Sequence, residues 1–443
     1  MLSPLKNRPY RHLFLAQIAA LLGTGLATIA LGLLAHDIAG AQAGQILGAI
    51  LSIKMVCYVA VAPIASALAS RLPRKSLLVS LDLVRAGVAA CLPFVAEIWQ
   101  VYALMTVLYV ASAAFTPAFQ SMIPDILPAE EDYTKALSLS RLAADLESVA
   151  SPILAAALLA FMSFNDLFAG TAFGFVLSAA LVVSAMLPKT AAPTQRPFLD
   201  RLTAGMRLFA LTPRLRGVFA LSLATAAGGA MAFVNTVVLV QSEFGLGERE
   251  TAFALAAFGA GSIVAAFSLP PLLSRVNDRS VVLAGALVMA LTLTSAAMAA
   301  SSYFVLLAHW IVLGAGYSLT MTPIGRVLRR SSNAEDRPAL FAAQFALSHA
   351  CWLIAYPVAG FVSAAFGTNA AFVALALIAA LGAAAAAALW PATDHAQLRH
   401  RHQGIAAGHE HLEGAEADAD GFVHTHPFVI DPLHRTWPRE DSH

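Results

Sequence analysis

The chain has 443 residues, of which 59% are hydrophobic and only 12% are charged, and its net charge is +1. Together with a mean hydropathy of +0.72, this composition excludes an ordinary soluble globular protein and indicates an integral membrane protein. The near-neutral charge gives no general argument for nucleic-acid binding, and the sequence lacks a G-x-x-x-x-G-K-[ST] loop for a nucleotide. We therefore expect a carrier driven by an ion gradient, without enzymatic activity and without a cofactor.

Twelve stretches of about 20 mostly apolar residues are each long enough to cross a bilayer as a helix. They begin near Leu13, Gln45, Leu77, Val101, Ala136, Leu167, Val218, Thr251, Val281, Phe304, Ala339 and Ala371. If the amino terminus is cytoplasmic, the amino-terminal segment and the even-numbered loops hold nearly all the Lys and Arg residues between spans, and the odd-numbered loops hold only Arg249. This asymmetry predicts a multi-pass protein with both termini in the cytoplasm. We expect the membrane to be a bacterial-type inner membrane.

The chain repeats itself at an offset of 204 to 206 residues. Ser70–Ser76 aligns with Ser274–Ser280, and Thr116-Pro117 aligns with Thr322-Pro323. Such parallel repeats predict an all-α membrane fold with twelve transmembrane helices in two six-helix bundles and a substrate path between them. We place the bundles at residues 1–187 and 218–391, a cytoplasmic connector at 188–217 and a histidine-rich tail at 392–443.

Ionisable residues inside the membrane are costly, so each one calls for a partner or a role. In the amino-terminal half they are Lys54 in span two, Asp82 and Arg85 in span three, and Arg141, Asp145 and Glu147 in span five. Arg141 and Asp145 are spaced i, i+4 and can pair along one helix face, whereas Glu147 points about 160° away from Asp145. Lys54 is a candidate partner for Glu147. We expect these four residues to couple protons to cations, or to form ion pairs that serve packing alone.

The carboxy-terminal half has almost no charge at membrane depth and offers His309, Met321, His349 and Cys351 instead. His349 and Cys351 lie two residues apart, so their side chains point about 160° apart on a regular helix and cannot bind one ion together. His349 is the stronger candidate for a metal contact. The structural alternative for it is a hydrogen-bonded histidine in the helix packing.

Three His-x-His pairs stand in the acidic tail, and His434 is a further candidate after them. The candidate ligands are His400, His402, His409, His411, His424, His426 and His434. Neutral imidazoles beside carboxylates suit a borderline divalent ion such as nickel, cobalt, zinc or copper. Because the tail has few apolar residues, we expect it to be disordered without metal and to buffer or sense the ion. The alternative is a solvated end whose histidines do nothing specific.

Leu68–Lys75 resembles the loop-two signature of major facilitator transporters, with Ser70 where the signature usually has Asp and Pro73 where it has Gly. The resemblance implies a gating role at the cytoplasmic face for Arg71, Arg74 and Lys75. It implies the same role for Asp82 with Arg85, because charges there hold the closed state in this superfamily. The alternative for that pair is a purely structural one.

Segments along the whole chain resemble the nickel-resistance exporters of this superfamily. They are Gly23–Ala27, Ile53–Val56, Leu137–Leu142, Asp145–Ser148, Arg326–Ser332 and His424–Asp431. The resemblance implies export of nickel, with cobalt as a second candidate ion, by proton antiport that confers metal resistance. The expected partners are membrane lipid, a divalent transition-metal ion and protons, with no nucleic acid. Two alternatives stay open: an exporter of a drug or siderophore, and a transporter-like metal sensor.

Overall fold

The computed structural model describes residues 2–39, 43–69, 72–187, 197–299, 302–394, 397–402, 409–412, 414–418, 421–431, 433–434 and 436–438. Six helices form the N-terminal half: α1 Arg8–Ala39, α2 Ala43–Ala69, α3 Arg74–Cys91, α4 Ile98–Ile126, α5 Glu130–Leu159 and α6 Phe164–Ser184. Helix α7, Phe198–Leu211, follows. The C-terminal half contains α8 Pro213–Val237, α9 Glu248–Leu273, α10 Asp278–Ala299, α11 Tyr303–Met321, α12 Ile324–Arg330, α13 Arg337–Pro357, α14 Ser363–Phe366 and α15 Thr368–Leu389.

Twelve of these helices are the membrane spans, six in each half. Among the described residues, eleven helices are long and apolar enough to cross a membrane, and the 30-residue α5 supplies the twelfth. Three spans are locally altered. Helix α8 continues as a π-helix over Val238–Glu243, α13 continues as a π-helix over Val358–Val362, and α11 ends before Pro323, which has no backbone N–H to donate. The predicted all-α fold of twelve transmembrane helices is confirmed.

Glycines bring neighbouring helices into backbone contact. A Cβ atom at Gly174 of α6 would lie 2.8 Å from the carbonyl oxygen of Ala19 in α1. A Cβ atom at Gly285 of α10 would lie 2.8 Å from the carbonyl oxygen of Gly316 in α11. Small residues permit this close approach, which is a main source of helix association in lipid, where lipid tails are as apolar as the side chains.

The two halves meet where α2 and α4 pack against α13 and where α5 packs against α9. Helix α7 lies within the segment 188–217 predicted as the connector, and α8 begins at Pro213, before the end of that segment. Helix α7 packs against α2 of one half and α13 of the other. The interface between the halves is therefore bordered by helices that carry Lys54, Arg141, Asp145, Glu147 and His349.

The tail contains a small antiparallel sheet, which corrects the disorder predicted for it. Its strands are β1 Leu398–His402, β2 Glu416–Asp418 and β3 Gly421–His426, in the order β1-β3-β2, with His400 opposite His424. The residues after β3 explain why the tail is folded rather than disordered. Phe428 and Ile430 are buried in the hydrophobic core of the C-terminal half. The tail thus gains its apolar contacts from the membrane domain rather than from itself.

Candidate functional site

The Arg141–Asp145 ion pair lies at the contact between the halves. Arg141 Nε lies 3.1 Å from Asp145 Oδ2, and the Ser262 hydroxyl of α9 donates to the same oxygen at 2.6 Å. The Arg141 guanidinium also lies 5.0 Å from the ring centroid of Tyr317 in α11. A pair that the i, i+4 spacing places on one helix is therefore held by two residues of the other half.

Glu147 faces α1 and is separate from that pair. Its Oε1 accepts a hydrogen bond from the Ser151 hydroxyl at 3.1 Å, and both side chains fill the space beside Gly25. Lys54 lies close enough to interact electrostatically with Glu147. The Lys54 ammonium also lies 5.6 Å from the ring centroid of Tyr58 and 6.0 Å from that of Tyr109. The carboxylate and the ammonium thus share one partly buried region of the N-terminal half.

His349 belongs to an aromatic contact across the interface. Its ring lies 4.8 Å from Tyr58 of α2 and 4.2 Å from Phe345 of its own helix, measured between centroids. His349 Nδ1 lies 2.7 Å from the Phe345 carbonyl oxygen, so this nitrogen carries the proton and donates. Only Nε2 remains as a ligand atom, which fits the structural alternative at least as well as a metal contact.

Asp82 and Arg85 pair with each other in the interior of the N-terminal half. The Ser178 hydroxyl of α6 donates to Asp82 Oδ2 at 2.8 Å, and the Arg85 guanidinium lies 4.0 Å from the ring centroid of Phe115 and 4.5 Å from that of Phe175. All of these contacts join helices of the same half. This arrangement favours the structural role over gating.

An ionic network closes the face that carries the N-terminal segment and the tail, which we call the basic face. Asp125, at the end of α4, binds Arg74 at 2.7 Å within its own half and also pairs with Arg337 of α13. Arg326 of α12 pairs with Glu130 of α5. These contacts join the two halves, so a substrate path between them is shut at the basic face.

The predicted gating residues take different positions at this face. Arg74 belongs to the network, whereas Lys75 donates to the Ala185 carbonyl oxygen at 3.0 Å within the N-terminal half. Arg71 lies outside the described residues. Asp278 pairs with Arg326 at 2.9 Å in the C-terminal half.

The sequence reasoning missed the acidic members of this network, although the internal repeat carries a signal for them. At the offset of 204, Arg74 corresponds to Asp278, and at 205 Asp125 corresponds to Arg330. Arg74 binds Asp125, and Asp278 lies 4.0 Å from Arg330. The two halves therefore carry the same ion pair with its charges exchanged. Aligning opposite charges across the repeat would have identified both pairs.

Five tail histidines converge on one point. The ligand nitrogens of His400, His402, His411, His426 and His434 all lie within 4.8 Å of one another. The Nε2 atom of His400 lies 3.0 Å from Nε2 of both His402 and His434, and His402 Nε2 lies 3.0 Å from that of His411. Such spacing brings several nitrogens of the imidazole rings to a single ion.

The outward nitrogens of three of these rings are held by neighbouring groups. His400 Nδ1 lies 3.1 Å from the Leu398 carbonyl oxygen, His426 Nδ1 lies 2.9 Å from the Pro427 carbonyl oxygen, and His434 Nδ1 lies 2.8 Å from Asp431 Oδ1. Each contact fixes the ring orientation and directs Nε2 toward the cluster, as carboxylates and carbonyls do for metal-bound histidines. His434, which the sequence analysis named as a candidate ligand outside the His-x-His pairs, lies in the cluster.

The other two predicted tail ligands, His424 and His409, relate differently to the cluster. His424 packs against it, and its Nε2 and that of His426 are buried without a hydrogen-bond partner in the described part of the chain. His409 accepts a hydrogen bond from the His411 backbone N–H instead. Burial lowers the pKa of His400, His402 and His424 from 6.5 to about 4, and nearby imidazoles act in the same direction. These rings are neutral at pH 7, as ligands must be.

Comparisons with known proteins place the chain among transporters. The family profile of the Major Facilitator Superfamily matches residues 13–234 and 218–407. Macrolide efflux protein A of Enterococcus faecalis is 27% identical over 174 residues, which cover 38% of this chain and 53% of that protein. The Streptococcus pyogenes protein of the same name is also 27% identical over 174 residues, which cover 42% of it. The chain spans about half the length of these relatives.

Solved structures share the whole membrane fold. The human organic anion transporter MFSD10 superposes with a TM-score of 0.74 at 13% identity, covering 86% of this chain and 99% of that one. The Escherichia coli fucose:proton symporter FucP has a TM-score of 0.70 at 18% identity, with 86% and 98% covered. A bacterial homologue of the iron transporter ferroportin has a TM-score of 0.70 at 16% identity, with the same coverage.

Proposed function

Because the chain belongs to the Major Facilitator Superfamily, we propose that it is a secondary exporter of nickel, with cobalt as a second candidate ion, driven by the entry of protons. The proposal includes a bacterial-type inner membrane and a cytoplasmic basic face. The five-histidine cluster carries the choice of cargo. It lies at the face where an exporter collects its substrate, and its imidazoles suit divalent ions of the first transition row.

The spacing of the cluster supports nickel or cobalt over zinc. For a metal–nitrogen distance of about 2.1 Å, two ligands at right angles lie about 3.0 Å apart, whereas two ligands of a tetrahedral site lie about 3.4 Å apart. Three of the Nε2–Nε2 separations in the cluster are 3.0 Å. Five donors also exceed the four ligands of a tetrahedral zinc site. The tail would bind the ion and raise its concentration beside the transport path.

Proton coupling would use Glu147 and Asp145, with Lys54 and Arg141 as fixed positive partners. Moving a divalent cation out against about 100 mV costs about 4.6 kcal/mol, which two entering protons offset electrically. Glu147 has the Ser151 hydroxyl and the Lys54 ammonium as its neighbours. Protonation of Glu147 would therefore release Lys54, which is on another helix, and would not break an ion pair within α5. Asp145 accepts a hydrogen bond from Ser262 of the other half, so the environment of its carboxylate would change when the halves separate.

Export of an organic compound is the second candidate, and two observations favour it. The relatives named macrolide efflux protein A match part of the chain. The interface helices also carry contiguous aromatic rings, since Trp352 stacks with Phe233 at 6.1 Å and contacts Tyr356 at 4.9 Å between centroids. An aromatic wall of this kind suits an apolar substrate.

Everted membrane vesicles separate the candidates, because export then appears as uptake. We expect uptake of radioactive nickel that releases protons from a preformed gradient and that is lost in Glu147→Gln. Glu416→Gln in the exposed tail is the control, and it should transport normally. Proton release on addition of a macrolide, with no nickel uptake, would transfer the assignment to the organic-compound exporter.

A further inference from the structure

The histidine cluster is connected to the membrane domain through one short run of contacts. The His400 ring lies 5.0 Å and the His434 ring 4.7 Å from the ring of Phe428, which is buried in the C-terminal half. The Phe428 carbonyl oxygen accepts a hydrogen bond of 3.0 Å from Arg214 at the start of α8. The Arg214 guanidinium lies 5.0 Å from the Trp437 ring of the tail. The cluster therefore rests on an anchored support.

Asp394 connects this support to the ionic network of the basic face. Its Oδ1 lies 3.1 Å from Arg214 Nη1, and its Oδ2 accepts from Arg330 Nη2 at 2.7 Å and from Trp390 Nε1 at 2.8 Å. Arg330 is thus bound to the tail while it also lies 4.0 Å from Asp278. Arg330 therefore lies between two carboxylates, with Nη2 on Asp394 and Nη1 at the longer distance from Asp278.

The position of Arg330 affects the closure between the halves. With Arg330 on Asp394, Asp278 has Arg326 as its close partner at 2.9 Å. Asp278 Oδ1 and Arg326 Nε are nevertheless buried without hydrogen-bond geometry in the described structure. Arg326 also pairs with Glu130 of the N-terminal half and donates to Thr134 at 2.7 Å. Arg326 is therefore shared between its own half and the opposite one.

We propose that the histidine cluster is a regulatory metal site, in which bound metal loosens the closure of the basic face through Asp394 and Arg330. Metal holds the strands and Phe428 in place and so keeps Asp394 on Arg330. When the tail leaves, Arg330 moves closer to Asp278, Asp278 holds Arg326 less firmly, and the existing pair of Arg326 with Glu130 becomes stronger and tightens the closure. The inference rests on the proposed function only for the identity of the transported ion.

Linkage fixes the direction of the effect. A ligand shifts a conformational equilibrium only by its different affinity for the two states. Here the docked tail draws Arg326 toward Asp278, so any ion that stabilises the docked tail favours separation of the halves. Rising cytoplasmic metal would then activate the exporter.

Hydrogen exchange on the full-length protein in nanodiscs tests this link. The peptides of interest cover residues 125–134, which contribute the N-terminal side of the closure. We expect Ni²⁺ to raise their exchange by about fivefold, the lower end of typical allosteric coupling. The increase should disappear in the double variant His400→Ala with His434→Ala, which loses the site. It should also disappear in Asp394→Asn, which keeps the site but loses the link.

Further variants make the result decisive. Calorimetry must show that Asp394→Asn still binds Ni²⁺. Arg330→Gln breaks the same link independently: because no guanidinium can then move to Asp278, exchange of residues 125–134 should be raised and insensitive to Ni²⁺. Glu416→Gln should respond as the wild type does. A wild-type response in Asp394→Asn and Arg330→Gln, or no response in a wild type that binds Ni²⁺ at the cluster, overturns the proposal.

Transport measurements keep the two hypotheses apart. An exchange response without nickel uptake would remove nickel as the cargo and leave the regulatory site standing. Nickel uptake without an exchange response would support nickel as the cargo and would overturn the regulatory site. Nickel bound in the transport path would instead act equally in all the variants.

Discussion

Glu147 owes its position to the absence of a side chain at Gly25. A Cβ atom at Gly25 would lie less than 3.0 Å from Glu147 Oε1, from Ser151 Oγ and from Ser151 Cβ. Ser151 Cβ is fixed to the backbone of α5 and cannot swing away, so α1 and α5 must separate by about 1 Å, and the Glu147 carboxylate moves with α5. We expect Gly25→Ala to lower the free energy of unfolding by about 1 to 3 kcal/mol, as overpacking does.

We expect Gly25→Ala to reduce the transport rate more strongly than it reduces stability. A displacement of about 1 Å in a positioned group can reduce a rate by about 100-fold. A Cβ atom at Gly32 of the same helix would meet no described atom within 4 Å, so Gly32→Ala is a matched control. The assay is metal-dependent proton movement in everted vesicles, with thermal unfolding followed in parallel. If Gly25→Ala transports and unfolds as Gly32→Ala does, the packing of Glu147 against α1 is not what positions it.

Three further predictions concern the buried pairs and the tail. Asp82→Asn should cost about 3 to 5 kcal/mol of stability, because it leaves a buried guanidinium without its counter-charge, and thermal unfolding measures the loss. Truncation after Pro391 should destabilise the protein more than truncation after Asp394, which keeps the partner of Arg214; equal unfolding temperatures would contradict this. The metal-free tail should lose its strands as pH falls from 6.5 toward 4, since the unfolded chain binds more protons than folded rings such as His400; hydrogen exchange of residues 421–426 across that range checks it.

Helices and local pairs could be predicted from the sequence because their determinants are local. A bilayer requires long apolar stretches with internal hydrogen bonding, so the twelve spans are readable without knowledge of their neighbours. The i, i+4 spacing likewise places Arg141 beside Asp145. The positive charges between spans are also a local feature, so they predict which side of the membrane each loop faces. The folded sheet of the tail could not be predicted in this way, because Phe428 and Ile430 are buried by helices hundreds of residues earlier in the chain.

The class of protein, the internal repeat, the spans and the candidate metal-binding residues can be read from the order of residues along the chain. Which of those residues act together depends on how the helices pack. Ser262 with Asp145, Arg337 with Asp125 and Arg330 with Asp394 are partners whose separation in the sequence carries no periodic signal. Their contacts depend on helix crossing angles and on the rotation of each helix about its axis, which packing of the whole chain fixes.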